Sequence, residues 1–201
     1  MKCPAWEERG ELAALQPVVE DIVRSERLAP SPLTVTTIET WHRRLFEGRV
    51  SPEEYVGSVR QRDPQRPCLA QNVVAAGGPG MHFDRVPTAL AELCVQTTHH
   101  LERAAHWQMP VDKRALALTS LLARAMVSFL RIHPFLDGNS RVARLWLHAL
   151  TQRLGLGPLL VILPPTDPKF PELKRAAMAG DASPWLTFFG DRLIAQLTAS
   201  P

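Results

Sequence analysis

Apolar residues recur at helical spacing along most of the chain. Leu12, Leu15, Val19, Ile22 and Val23 predict a helix or helix pair between Trp6 and Leu28, with Pro17 marking a break or a new start. Ala29-Pro30-Ser31-Pro32 stops it, and Thr34 caps a second helix carrying Val35, Ile38, Trp41, His42 and Leu45, ended by Gly48. Ser51-Pro52-Glu53-Glu54 has the serine, N1 proline and first-turn acids of another start, so a short helix to Val59 is expected. Arg60 to Pro67 reads as polar and irregular. From Val86 a long helix runs to about Trp107, with Leu90, Leu93, Cys94, Leu101 and Ala105 inward. Leu118, Leu121, Leu122, Ala125, Met126 and Phe129 then define a helix apolar nearly all round, hence a central one. Val142, Leu145, Trp146, Ala149 and Leu150 predict its partner, stopped at Gly155. A short apolar segment from Leu160 to Leu163 precedes Pro164-Pro165, and two last helices are expected over about 170–179 and 184–197.

One stretch suggests strands. Val73-Val74 and Met81-His82-Phe83 flank Gly77-Gly78-Pro79-Gly80, predicting a short hairpin that is the chain's only strand candidate. The expected fold is therefore mainly all-α, a helical bundle with one short β-hairpin.

Composition narrows the class. With 201 residues and 45% hydrophobic residues, the chain suits one domain with a sizeable core, and disorder is excluded as the default. A net charge of +3 and a pI near 9.0 permit a nucleotide or acidic partner, but no basic stripe points to nucleic acid. Cys3, Cys68 and Cys94 are odd in number and lack C-x-x-C spacing, so neither a disulfide framework nor a zinc site is expected, and a reducing cytoplasm is the simplest home. No signal-peptide core is present and no run approaches membrane-spanning length, which predicts a soluble protein without a membrane partner; secretion by another route and the oligomeric state are left open.

Chemistry concentrates in His133-Pro134-Phe135-Leu136-Asp137-Gly138-Asn139-Ser140-Arg141, with Arg144 one turn later. Pro134 should end the preceding helix at His133, and Asn139 and Ser140 suit the start of the next. A helix N-terminus beside a glycine and two arginines is a ready anion site. An imidazole, a carboxylate and a phosphate cradle on one turn are what phosphoryl or nucleotidyl transfer needs.

This run resembles the signature of the Fic family, H-x-F-x-[D/E]-G-N-[G/K]-R, departing from it only in Ser140. The element order is similar to a Fic domain over about 34–197, which implies a catalytic domain of residues 34–201 behind a helical extension of residues 1–33. The resemblance implies a protein adenylyltransferase that moves AMP from ATP onto a Ser, Thr or Tyr hydroxyl of a target protein, with Mg²⁺ and release of pyrophosphate. His133 would be the general base and Asp137 the metal residue; Gly138, Asn139, Ser140, Arg141 and Arg144 would bind the nucleotide, with Arg141 also stabilising the transition state. Phe135 would be an inward anchor. The hairpin would be a flap on which the target docks, through Val73, Val74, Met81, His82 and Phe83. Relatives often bring a Tyr and an Asn to the adenine from a later helix; Phe170, Pro171 and Met178 stand there instead, so UMP or phosphate transfer stays open, as does a silent nucleotide-binding module. The family's inhibitory [S/T]-x-x-x-E-[G/N] helix would align with Ser25-Glu26-Arg27-Leu28-Ala29-Pro30, where Ala29 replaces the glutamate. Arg144 should then be free, and the N-terminal residues should not inhibit.

Overall fold

The computed structural model describes residues 3, 5–8, 12–75, 77–159, 162 and 167–199, without the side chains of 12, 13 and 197–199. Among these residues seven α-helices follow in order: α1 (Gln16–Leu28), α2 (Val35–Phe46), α3 (Val86–Ala105), α4 (Val111–Ile132), α5 (Asn139–Arg153), α6 (Phe170–Ala179) and α7 (Ser183–Ala199). Four two-residue strands pair antiparallel in two ribbons, β1 (Glu7–Glu8) with β2 (Val50–Ser51) and β3 (Val74–Ala75) with β4 (Gly78–Pro79).

α4 is central, as its all-round apolar pattern predicts. It packs against α3, α5, α6 and α7, and Leu122, Met126 and Phe129 are fully buried. Contrary to expectation, Val111–Ile132 is long and apolar enough by composition to cross a bilayer. From Leu118 onward its apolar side chains are instead mostly buried against four helices, the arrangement of a core helix, while Val111 and Leu116 in its first turns stay exposed. The bundle is bounded as the local chemistry dictates: the Thr34 hydroxyl accepts the Thr37 N–H at the start of α2, and Pro17 sits in the first turn of α1.

Four expectations need correction. Residues Trp6 to Glu8 are extended, and β1–β2 is a second strand pair whose partners lie over forty residues apart; an apolar-period reading has no term for so short a ladder. Pro52 to Val59 holds only a 3₁₀ turn, Glu53–Tyr55, because Glu53 Oε1 folds back to accept the Gly48 N–H and Gly57 turns the chain with φ 72°. The hairpin is shorter and shifted: the glycine-proline stretch is itself β4, while the Met81 N–H leaves to bond the Arg131 carbonyl and Phe83–Arg85 coils into a 3₁₀ turn. Finally, Cys3 and Cys68 form a disulfide. Spacing in sequence is silent about two cysteines brought together by the fold, and the case for a reducing compartment loses that ground. The apolar segment from Leu160 to Leu163 lies outside the described residues except for Ile162, which is buried.

Candidate active site

The loop between α4 and α5 is built from its buried members outward. Pro134 bars αR geometry at His133, which closes α4 in the left-handed region with φ 50° and ψ 61°; among the described residues it is the one non-glycine with positive φ. Buried Asn139 holds the turn from beneath, its Oδ1 accepting the Phe135 N–H and its Nδ2 donating to the Phe135 carbonyl, both at 2.9 Å. The Phe135 ring is the inward anchor expected of it, stacked on the His42 imidazole at 3.9 Å between centroids. His42 accepts the Gly57 N–H on Nδ1, which leaves Nε2–H to donate to the Asp137 carbonyl. A Cβ on Gly138 would lie 2.4 Å from the Phe46 ring and 3.2 Å from His42 Nε2, and φ there is 74°. Packing under the loop already requires that glycine, apart from any close approach by a phosphate.

Arg60 fixes the other side of the turn. Its guanidinium, wholly buried, donates to the carbonyls of Ile132, His133, Gln71 and Met81 at 2.8–3.0 Å, and its own N–H bonds the Pro134 carbonyl. It thus places a cation at the negative end of α4 and ties that end to both arms of the hairpin. The hairpin in turn passes close over the site, since a Cβ on Gly80 would stand 2.9 Å from His133 Cβ.

His133 is buried, and its Nδ1–H points at the Leu130 carbonyl 3.3 Å away, a tautomer that leaves the Nε2 lone pair free. Burial, and next the Lys174 ammonium, push its pKa down to about 4, so it is a neutral base at neutral pH.

The start of α5 faces the same space. Gly138 O takes the N–H groups of Arg141 and Val142, while those of Asn139 and Ser140 have no acceptor among the described residues. Asn139, with its side chain spent on Phe135, therefore offers an anion its backbone N–H. Ser140 is half-buried and its carbonyl accepts Arg144 Nε. Arg144 is buried over the Phe170 ring, 5.0 Å from guanidinium carbon to centroid, and its Nη1 has no partner. Burial, then Arg141, lowers its pKa to about 10, which keeps it cationic. A buried guanidinium nitrogen without an acceptor is costly unless an anion arrives. Arg141 lies over Phe46 and is gripped by Glu8, an acid the sequence reading left unassigned. Asp137 is exposed, with Oδ1 accepting the Gly138 N–H at 2.6 Å. Among the described residues no three His, Cys, Asp or Glu side chains converge to hold a metal, so a cation here would have Asp137 and bound phosphates as its ligands.

Sequence reasoning missed Lys174. It stands one turn beyond Phe170 on α6, on the face turned to Arg144, and is half-buried. Its ammonium, lowered in pKa chiefly by burial, is felt by His133 and itself feels Asp137 and Arg144. The i, i+4 spacing from Phe170 was the available signal. Of the flap residues, Val73 and Val74 remain in or beside the ribbon, while Met81 and His82 line a cavity of about 580 Å³ between the hairpin, α3, α4 and Met178 of α6; no side chain from His133 to Arg144 lines it. Phe83 lies beyond that cavity, its ring 4.3 Å from the His82 imidazole.

The histidines make a pH prediction. His42 is lowered to about 3 and His133 to about 4, both mainly by burial, and His148 is lowered for the same reason. The unfolded chain binds these protons near the ordinary value of about 6.5, so it holds more protons than the fold below that pH, and stability falls as pH falls. Each neutral histidine contributes a slope of up to about 1.4 kcal/mol per pH unit between its two pKa values. Melting temperatures should therefore drop between about pH 6.5 and 5, above the usual carboxylate range. A flat profile there would show that the imidazoles are not buried neutral.

The Fic/DOC family model matches residues 32–151. Over 160 residues, 79% of this chain, the sequence is 30% identical to the protein adenylyltransferase Fic of Drosophila virilis and 31% identical to that of Drosophila melanogaster. The chain spans only 28% of the length of each of these relatives. In fold it is similar to the VirB-translocated effector protein BepC of Bartonella tribocorum with bound AMPPNP, at a TM-score of 0.60 and 15% identity over 89% of this chain and 84% of that one. A Fic domain containing signaling protein from Bacteroides thetaiotaomicron gives a TM-score of 0.60 at 21% identity, covering 92% of this chain and 68% of the other.

Proposed function

The chain belongs to the Fic/DOC family, and on that premise we propose that it transfers AMP from ATP to a Ser, Thr or Tyr hydroxyl of a target protein, releasing pyrophosphate. One observation carries the reading: a neutral, left-handed His133 with a free Nε2 shares its loop with the uncapped N–H groups of α5 and with an unpartnered, buried Arg144 Nη1. The first can take a hydroxyl proton, and the others can receive phosphate oxygens. Relatives named as adenylyltransferases favour AMP as the group transferred.

In this mechanism His133 Nε2 accepts the proton of the target hydroxyl as its oxygen attacks the α-phosphorus. The Asn139 and Ser140 N–H groups, with Arg141, hold oxygens on which charge grows, and Arg144 and Lys174 hold the departing pyrophosphate. Mg²⁺, when bound by Asp137, would neutralise phosphate charge. Phe170 gives Arg144 its platform, so the adenine must find other partners. Residues 34–201 form the catalytic part and residues 1–33 an extension, whose α1 packs on α2 and α5. Glu26 of α1 is buried against Arg153, far in role from the family's inhibitory acid.

Intact-mass measurement of a lysate incubated with each common nucleoside triphosphate, with and without a chelator, tests the proposal. A Mg²⁺-dependent gain of one AMP from ATP alone is the expected result. A gain of UMP or of phosphate would reassign the donor, and no covalent product with any nucleotide would leave only a binding module.

The ribbon supplies a further prediction. The Gly80 N–H bonds the Val73 carbonyl, so antiparallel alternation turns the Val74 N–H and C=O to the outer edge, and the Val74 side chain is 83% exposed. An extended target segment can add itself there. Val74→Pro should lower target modification about tenfold or more while leaving ATP affinity unchanged, because one outward donor is lost. Met81→Pro would not test docking, since the Met81 N–H serves the Arg131 carbonyl. Equal loss of both readouts in Val74→Pro would make the ribbon purely structural.

A further inference from the structure

Glu8 occupies the ligand that the proposed reaction needs most. Its two carboxylate oxygens meet Arg141 Nη1 and Nη2 at 2.7 and 2.8 Å, a bidentate fork of the kind a phosphate would make. The acid arrives from 133 residues away along the chain, on a strap with few anchors. Its ribbon with Val50–Ser51 is two residues long, and so short a ladder is not stable by itself. Trp6 packs edge-on against Phe46, the ring under Arg141, yet its indole N–H has no partner. The Glu8–Arg141 pair is partly open to solvent, 36% on the acid and 16% on the arginine, where an ion pair contributes little.

The covalent anchor is the Cys3–Cys68 disulfide, which joins the start of the strap to the 3₁₀ turn Pro67–Leu69. Cys68 is buried with Tyr55 and Leu69, and Cys3 and Leu136 pack on that cluster. Leu136 belongs to the His133–Arg144 loop, so the bridge is fastened beside the site. A tether of so few residues between Cys3 and Glu8 keeps the carboxylate at high effective concentration over Arg141. Cys3 is the less buried of the two residues, so it is the side from which a reductant would approach.

We propose that the Cys3–Cys68 disulfide is a reducible latch that holds Glu8 in the phosphate position on Arg141, so that the oxidised chain is restrained and a dithiol reductant releases it. The idea rests on the reading of Arg141 as a phosphate ligand. It reverses the sequence expectation that the N-terminal residues do not inhibit, and it differs from the inhibitory helix sought there, since a strand acid meets the first arginine. In the chemical step a reductant thiolate attacks Cys3 Sγ, breaking the S–S bond and expelling Cys68 as a thiolate that takes up a proton. The reductant's second thiol then displaces Cys3 as a thiol and closes to a cyclic disulfide. Two electrons and two protons pass from the dithiol to the cysteines. Among the described residues the strap is then held by its short ribbon and by Trp6 against His42 and Phe46, with no covalent tie, and the donor's phosphates compete for Arg141 against a freely exchanging Glu8.

The test uses the full chain, oxidised or treated with dithiothreitol, beside Cys3→Ser and Glu8→Gln. ATP affinity is measured by calorimetry, and hydrogen exchange is followed at residues 5–8 and 50–51. Reduction, or Cys3→Ser without reductant, should raise exchange in the strap and tighten ATP binding about tenfold, the scale of one charge-assisted fork. Glu8→Gln should bind equally tightly in both redox states. Unchanged exchange on reduction would overturn the latch whatever ATP does. Released exchange with unchanged, measurable ATP affinity would show the bridge to be a staple only. If exchange rises but no state and neither variant binds ATP, the nucleotide reading itself fails, and the latch with it.

Discussion

Arg60→Met should unfold this protein more readily than any other single change described, lowering the melting temperature by about 10 °C or more, equivalent to about 4 kcal/mol or more for a chain of this size. The residue is wholly buried and no carboxylate among the described residues pairs with it. Burial lowers its pKa only to about 10, so it is charged at neutral pH. Its stabilisation comes from four carbonyl oxygens, two of them at the end of α4 and two on the segments flanking the hairpin. Hydrogen bonds to a charged donor contribute about 1.5–3 kcal/mol each, and removing the donor leaves buried acceptors unmet. Methionine fills much of the volume but meets none of them. Arg60→Lys keeps the charge and one point of contact, and should recover only part of the loss. Thermal and urea melts decide the matter, and a midpoint within about 2 °C of the unmodified protein would show that the four carbonyls find water instead.

His133→Ala should reduce transfer by about a hundred- to ten-thousand-fold, the usual contribution of a positioned base, while ATP affinity stays within about twofold. The separation follows from the architecture. The proposed phosphate ligands lie on α5 and α6, whereas His133 lies at the end of α4. Because the imidazole pKa is about 4, the acid limb of kcat/KM should fall near there, well below the ordinary 6.5 of a solvated histidine. His133→Asn tests whether any loss stems from the backbone, since asparagine accepts the left-handed conformation that alanine resists. If both variants modify the target at undiminished rate, another group takes the proton and the mechanism is wrong.

What could be read from the sequence was what local rules control. Pro134 and the apolar periods on either side fixed the α4–loop–α5 corner, because a proline acts on its immediate neighbour and a period needs only its own helix. Thr34 capped α2 for the same reason. What escaped was settled at a distance. Arg60 read as part of a polar, irregular stretch, yet it is the most deeply buried charge described, since its partners are carbonyls that the fold gathers from three separate segments. His42 was assigned to the interior of α2, but its task of holding the Asp137 carbonyl is visible only when α2 meets the loop. Met81 flanks the glycine-proline turn and so reads as a strand residue, but the Arg131 carbonyl claims its N–H. Cys3 and Glu8 lie where no periodicity operates, and their partners, Cys68 and Arg141, are far along the chain.

The hairpin is held at both ends. At its tip a Cβ on Gly77 would come within 2.5 Å of the Arg175 carbonyl on α6, and at its base one on Gly80 would come within 2.9 Å of His133 Cβ. Glycine at these points lets the ribbon rest on its supports with almost no clearance, so it is a fixed rail and not a swinging gate. For any segment that pairs along Val74 the free-energy cost of ordering falls on the visitor alone. Loosely structured loops and tails, which straighten without breaking a fold of their own, would meet that cost most cheaply. Discrimination among them would then come from how long each stays and where its hydroxyl falls relative to the base. The rail's height above His133 would act as a ruler, measuring a fixed number of residues from the paired backbone to the side chain that reacts.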